Sequence, residues 1–228
     1  MPVRHVDCRP EAAYLAGHVP GAAHADPERD LTGTEGGGRH PLPSAHAFAA
    51  WAGAAGIGSD THVVAYDDGT GWAARLWWLL RHFGHDNAEV AMFDPSAPLS
   101  QGEEKIETAK FTPRPRSADT ADAAELLARL GDPTLTLVDA RAPERWRGEV
   151  EPIDPVAGRI PGARNRFFLD DSPLPAQLLE ADDLVVYCGS GVTACAVLYD
   201  LHVADRDDAR LYPGSFSEWY ALGRVERD

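Results

Sequence analysis

The chain has 228 residues, of which 44% are hydrophobic and 25% charged, and a formal net charge of −15. That composition is typical of a globular domain or a pair of small ones, each large enough to bury a core. It lacks the basic footprint that nucleic acid requires, and no apolar run approaches the ~20 residues needed to cross a bilayer.

The first residues contain no apolar stretch of the signal-peptide kind and reach an acidic residue by Asp7, so the expected location is the cytoplasm. Cys8 stands at the end of a first predicted strand. A second strand is expected over residues 63–66, followed by a helix over 72–83 whose Trp77, Trp78 and Leu80 fall at core spacing. Residues 111–117 (FTPRPRS) hold two prolines and no periodicity, which predicts an extended linker. An amphipathic helix is expected over 118–130, with Ala121, Ala124, Leu127 and Leu130 on one face and Gly131-Asp132-Pro133 as its stop. Strands are expected at 135–139, 184–187 and 209–212, and helices at 193–203 and 215–222. Short apolar strands alternating with helices predict an α/β fold with a parallel sheet covered on both faces.

The two halves repeat one another. Gly17-His18-Val19-Pro20-Gly21-Ala22 reappears as Gly158-Arg159-Ile160-Pro161-Gly162-Ala163, and Asp7-Cys8-Arg9 as Asp139-Ala140-Arg141. From Asp67 onward the first copy aligns without a gap to the second from Cys188. This predicts two homologous domains, 1–110 and 118–228, joined by 111–117.

Sites in such sheets form at the carboxyl ends of strands. Cys188 lies at such an end, followed by Gly189-Ser190-Gly191-Val192 and a helix opening near Thr193. The glycines let backbone N–H groups turn inward, and the helix start adds partial positive charge. An array of this kind stabilises an anion held there, whether a thiolate, a persulfide or a substrate oxyanion. Cys195 falls among core positions of the helix and Cys8 is read as structural. The three cysteines and nine histidines show no metal-ligand spacing, so neither a metal nor a cofactor is expected. In the first domain Asp67 occupies the Cys188 position. A carboxylate cannot carry sulfane sulfur, so that copy is expected to be catalytically silent. An anionic substrate also needs a local positive pocket to enter so acidic a protein.

The loop Cys188-Gly189-Ser190-Gly191-Val192-Thr193-Ala194 resembles the active-site loop of the tandem rhodanese-type sulfurtransferases, within them the 3-mercaptopyruvate branch. Asp139-Ala140-Arg141, Arg145-Trp146-Arg147-Gly148 and the segment from Tyr212 to Trp219 are similar to further family elements. The resemblance implies two rhodanese-like domains, each a parallel sheet flanked by helices, and sulfur transfer through a Cys188 persulfide. It implies that Arg145 binds a small anionic sulfur donor, with Gly189, Gly191, Val192 and Thr193 lining the loop. It further implies that Asp26, His40 and Ser190 relay protons to the donor. The acceptor is then a thiol, a thioredoxin-like protein or cyanide. A second donor-binding arginine of many relatives would fall at about Ile153. Met92-Phe93-Asp94-Pro95 stands where the family has a Gly-Gly turn, and the chain opens on its first strand without the usual preceding helix. The alternatives are a thiosulfate-specific enzyme, or a sulfur carrier or interaction module that does not turn over. A phosphatase loop of this fold needs Arg at position 194, which is Ala. A cysteine hydrolase needs a histidine beside the thiol, for which His40 is the candidate.

Overall fold

The structure, a computed structural model, describes residues 1–228 and contains two compact units. The first comprises Met1–Thr34 and Leu42–Arg116, the second Glu35–Pro41 and Ser117–Asp228. The division therefore differs from the expected one in two places: residues 35–41 belong with the second unit, and 111–116 with the first.

In chain order the first unit contains β1 (Val3–Asp7), α1 (Glu11–Ala16), β2 (Ala23–His24), α2 (Ala45–Ala54), β3 (His62–Asp67), α3 (Trp72–His82) and β4 (Ala88–Met92). Its four strands are parallel, in the order β2-β1-β3-β4. Helix α3 is buried from Ala73 through Leu80, including Trp77 and Trp78, so it is a core helix apolar on nearly every side. The expected linker is not loose. Phe111 packs edge-on to Phe48 at 5.7 Å between ring centroids, and the N–H groups of Arg114 and Arg116 donate to the carbonyls of Phe83 and His82. Phe111 supplies apolar burial that the two neighbouring prolines do not reveal. The segment Met92-Phe93-Asp94-Pro95 is ordered by similar means: Phe93 N–H donates to Asp67 O, and its ring lies under the Arg9 guanidinium at 3.5 Å.

The second unit contains α4 (Ala123–Ala128), β5 (Leu135–Asp139), α5 (Pro143–Arg147), β6 (Arg164–Asn165), α6 (Ala176–Leu179), β7 (Asp183–Tyr187), α7 (Ala194–Val203), β8 (Arg210–Leu211) and α8 (Ser215–Trp219). A 3₁₀ turn over Tyr220–Leu222 continues α8. The sheet is again parallel, in the order β6-β5-β7-β8. β7 is apolar from Leu184 to Tyr187 and buried throughout that run, as a strand covered on both faces must be. Its core includes Leu126, Leu137, Val185, Tyr187, Phe216 and Trp219. The helix expected over 118–130 starts late. Asp122 caps it by accepting from Glu125 N–H, while residues 119–121 extend the sheet edge: Leu211 N–H donates to Asp119 O and Ala121 N–H to Leu211 O.

The repeat is reproduced bond for bond. Asp7 grips Arg9, which donates to Gly17 O at 2.6 Å; Asp139 grips Arg141, which donates to Gly158 O at 2.7 Å. Tyr66 and Tyr187 hydroxyls accept from Val19 and Ile160 N–H. Each buried carboxylate and guanidinium satisfies the other, and each arginine ties the strand end to the following loop. No helix is long and apolar enough to cross a membrane.

Candidate active site

The site is built where β7 ends. Cys188 is 2% exposed, and its Sγ accepts from Gly191 N–H at 3.1 Å. The loop can close on the sulfur because Gly191 has φ of +79°, and a β-carbon there would stand 2.6 Å from Pro213 O. Ser190 and Val192 are buried with it, Thr193 is half-buried, and α7 begins at Ala194. The turn after β8 closes the other side. Phe216 and Ser217 N–H groups donate to the carbonyls of Cys188 and Gly189 at 3.0 and 2.9 Å. Cys188 N–H donates to Ser215 Oγ at 3.2 Å, and that hydroxyl donates to Tyr212 O. Ser215 has φ of +52°, uncommon for a residue with a side chain, and its two bonds hold it there. Ser215 and Ser217 were not singled out from the sequence as parts of the cysteine loop; they lie in the matched segment 212–219, which was the available signal.

Residues 38–40 join this loop from far along the chain. His40 Nδ1 lies 2.8 Å from Ser190 Oγ. Arg39 N–H donates to Ser217 Oγ at 3.0 Å, and Arg39 Nη1 pairs with Asp154. Of the expected proton-relay residues, His40 and Ser190 thus meet. Asp26 belongs to the first unit, where its Oδ1 accepts from the N–H groups of Glu28 and Arg29.

Arg145 projects from α5 to the same loop. A β-carbon on Gly189 would be 3.6 and 3.8 Å from its two terminal nitrogens. Glu151 holds the guanidinium from behind, accepting from Nε at 3.1 Å and Nη2 at 2.6 Å, and also binds Arg141 at 3.1 Å. Burial pushes the Glu151 carboxyl up, but Arg145 and the N–H groups of Asp154 and Ile153 outweigh it and hold the group below the usual carboxylate range. Ile153 is 59% exposed.

The other two cysteines sit differently. Cys195 is fully buried and donates from Sγ to Gly191 O at 3.3 Å. Burial, then the charges of Asp67 and Asp7, push the Cys8 thiol well up, so it stays protonated. At the position equivalent to Cys188, Asp67 fills its own loop: its carboxylate accepts from Gly69 N–H, Thr70 Oγ1 and Ala73 N–H. The first loop thus encloses a fixed side-chain anion, and the second encloses a thiol.

A family model described as a rhodanese-like domain matches residues 2–94 and again residues 122–222. A protein of Pseudomonas aeruginosa described as a probable 3-mercaptopyruvate sulfurtransferase is 44% identical over 233 residues, covering 90% of this chain and 82% of its own. The thiosulfate sulfurtransferase of Mus musculus is 31% identical over 236 residues, covering 91% of this chain and 78% of its own. Among solved structures, SseA from Escherichia coli, described with the rhodanese fold of the 3-mercaptopyruvate sulfotransferases, matches with a TM-score of 0.77 at 27% identity. That match covers 95% of this chain and 93% of the other.

Proposed function

The chain belongs to the rhodanese-like family, and from that premise we propose that it is a sulfurtransferase in which Cys188 carries the transferred sulfur as a persulfide. The Gly191 N–H directed at Cys188 Sγ, inside a loop opening onto α7, carries this reading. A thiolate, and then the terminal sulfur of a persulfide, is the anion such a loop suits.

The donor is 3-mercaptopyruvate. The Cys188 thiolate attacks the donor sulfur, the sulfur–carbon bond breaks, and its electron pair leaves as the enolate of pyruvate. The donor's thiol proton ends on the enolate carbon, so the products are pyruvate and the Cys188 persulfide anion. Ser190 and His40, 2.8 Å apart, form the pair suited to carry that proton. Arg145 binds the donor carboxylate, a task for which a guanidinium fork is well shaped. In the second half-reaction an acceptor thiol, a thioredoxin-like protein or cyanide takes the outer sulfur and restores the thiolate. The first domain is silent because Asp67 cannot hold sulfane sulfur. The enzyme works in the cytoplasm.

Mass spectrometry of protein treated with 3-mercaptopyruvate tests the reading. The peptide containing Cys188 is expected to gain the mass of one sulfur; sulfur mainly on Cys8 or Cys195 refutes it.

Donor preference follows from the loop's side chains. Thiosulfate is a compact dianion best held by cations directly after the cysteine, where Gly189 and Ser190 stand. Mercaptopyruvate instead offers a carboxylate to Arg145 and a ketone to the Ser190 hydroxyl. Steady-state assays are expected to give a higher kcat/KM with 3-mercaptopyruvate. The reverse order would move the enzyme to the thiosulfate class without touching the Cys188 chemistry.

A further inference from the structure

Residues 35–41 interrupt the first unit in sequence yet belong to the second, and they dock on the turn into α8. Gly38 has φ of +81°, and its backbone lies so near this turn that a β-carbon there would stand 2.5 Å from Gly214 O and 2.9 Å from Ser217 Oγ. A β-carbon on Gly37 would collide with the Glu218 carboxylate, which accepts from Tyr212 OH at 2.7 Å. The next contact is polar. Arg39 N–H donates to Ser217 Oγ at 3.0 Å, and that hydroxyl donates to Gly214 O at 3.1 Å. Ser217 N–H in turn donates to Gly189 O at 2.9 Å. Ser217 therefore holds residues 38–40 with its side chain and the Cys188 loop with its main chain.

Resting on the sulfurtransferase reading, we infer that Ser217 is a positioning residue for the proton step: its hydroxyl fixes residues 38–40 on the Cys188 loop and so sets His40 Nδ1 at hydrogen-bond distance from Ser190 Oγ. The contacts form a closed circuit. It runs from Ser217 N–H to Gly189, one residue on to Ser190, across 2.8 Å to His40, back one residue to Arg39 N–H and so to Ser217 Oγ. Every link is a hydrogen bond or a single residue of chain. Gly36, Gly37 and Gly38 have the widest backbone freedom of any residue type, so fixing Arg39 N–H removes that freedom directly before the imidazole. A positioned acid–base pair works within about 2.6–3.2 Å, so a small loss of registry slows the chemistry rather than donor binding. The Arg39 guanidinium has an anchor of its own in Asp154 and does not depend on the Ser217 hydroxyl.

A double-variant cycle in the full chain, Ser217→Ala with His40→Ala, tests this with 3-mercaptopyruvate as donor. Ser217→Ala is expected to lower kcat roughly three- to ten-fold, the size of one net hydrogen bond, while KM stays within about two-fold of wild type. Ser217→Thr keeps the oxygen and should recover most of the loss. In a His40→Ala background there is no imidazole to position, so adding Ser217→Ala should cost less than about two-fold more, read as the rate at which sulfur appears on the Cys188 peptide. Ser217→Val, which has the shape of threonine without the hydroxyl, replaces the alanine variant if that variant folds poorly. An equal loss in both backgrounds makes Ser217 a mere holder of the cysteine loop and overturns the assignment. So does an unchanged kcat in Ser217→Ala, or an unchanged rate in His40→Ala, which would leave Ser217 no proton step to set. Failure of the wild-type protein to acquire sulfur on Cys188 from 3-mercaptopyruvate overturns instead the sulfurtransferase reading on which it rests.

Discussion

Cys188→Ser is expected to lose roughly 10³-fold or more of sulfur transfer, leaving no measurable turnover, because a hydroxyl oxygen cannot form or carry a persulfide. The change is nearly isosteric, so Gly191 N–H keeps an acceptor and the loop keeps its shape. Circular dichroism and melting temperature should therefore stay close to wild type while activity disappears. Cys195→Ser is the matched control. Its Sγ donates to Gly191 O from within the first turn of α7, and a serine hydroxyl can make the same bond. That variant should retain most activity. The Cys8 thiol is kept protonated by burial and by Asp67 and Asp7, so it cannot substitute as the nucleophile. Transfer persisting in Cys188→Ser would remove the persulfide from the mechanism.

Arg145→Ala is expected to lower kcat/KM for 3-mercaptopyruvate by roughly ten- to a hundred-fold through loss of one charge-assisted hydrogen bond to the donor. The same change strikes stability, because Glu151 is left with Arg141 as its remaining cationic partner and its side chain is 3% exposed. Removing one partner of a buried pair costs up to ~3–5 kcal/mol, and the retained Arg141 contact should hold the loss to about 2–3 kcal/mol. The pH dependence has a definite sign. The folded-state pKa of Glu151 is depressed, so its stabilisation is complete above the unfolded carboxyl value and is lost as pH falls through the folded one. The stability gap between wild type and Arg145→Ala is therefore expected to be widest near neutrality and to narrow below about pH 4. Urea midpoints measured at both ends of that range check it. A gap of constant size would mean that Arg145 stabilises by packing alone.

Much of the candidate loop was legible because it is local. Buried parallel strands require continuous apolar runs, so Leu184–Tyr187 announced β7, and a glycine-rich turn between it and a helical pattern announced the site at Cys188. The repeat was legible for a related reason: the same Asp–Arg pair and the same tyrosine hydroxyl close the equivalent loop in each half, so the residues recur with their bonds. That Asp67 stands at the position equivalent to Cys188 followed from that alignment alone, but not that its carboxylate would occupy the loop's own N–H groups.

Local pattern does not register pairing between distant segments. The late start of α4 was decided by the edge of β8, which takes residues 119–121 into the sheet through hydrogen bonds that helical periodicity cannot foresee. Phe111 turned a proline-rich stretch into packed structure because its partner, Phe48, lies 63 positions earlier in the chain (111 − 48). Local sequence dictated one run of elements: an apolar strand, a cysteine, a glycine turn and a helix, each set by neighbours a few residues away. Only the tertiary structure decided which cations and which imidazole surround that cysteine. Arg39 and His40 enter the site through contacts to Asp154, Ser190 and Ser217, bonds whose free energy exists only once segments far apart in the chain have been brought together.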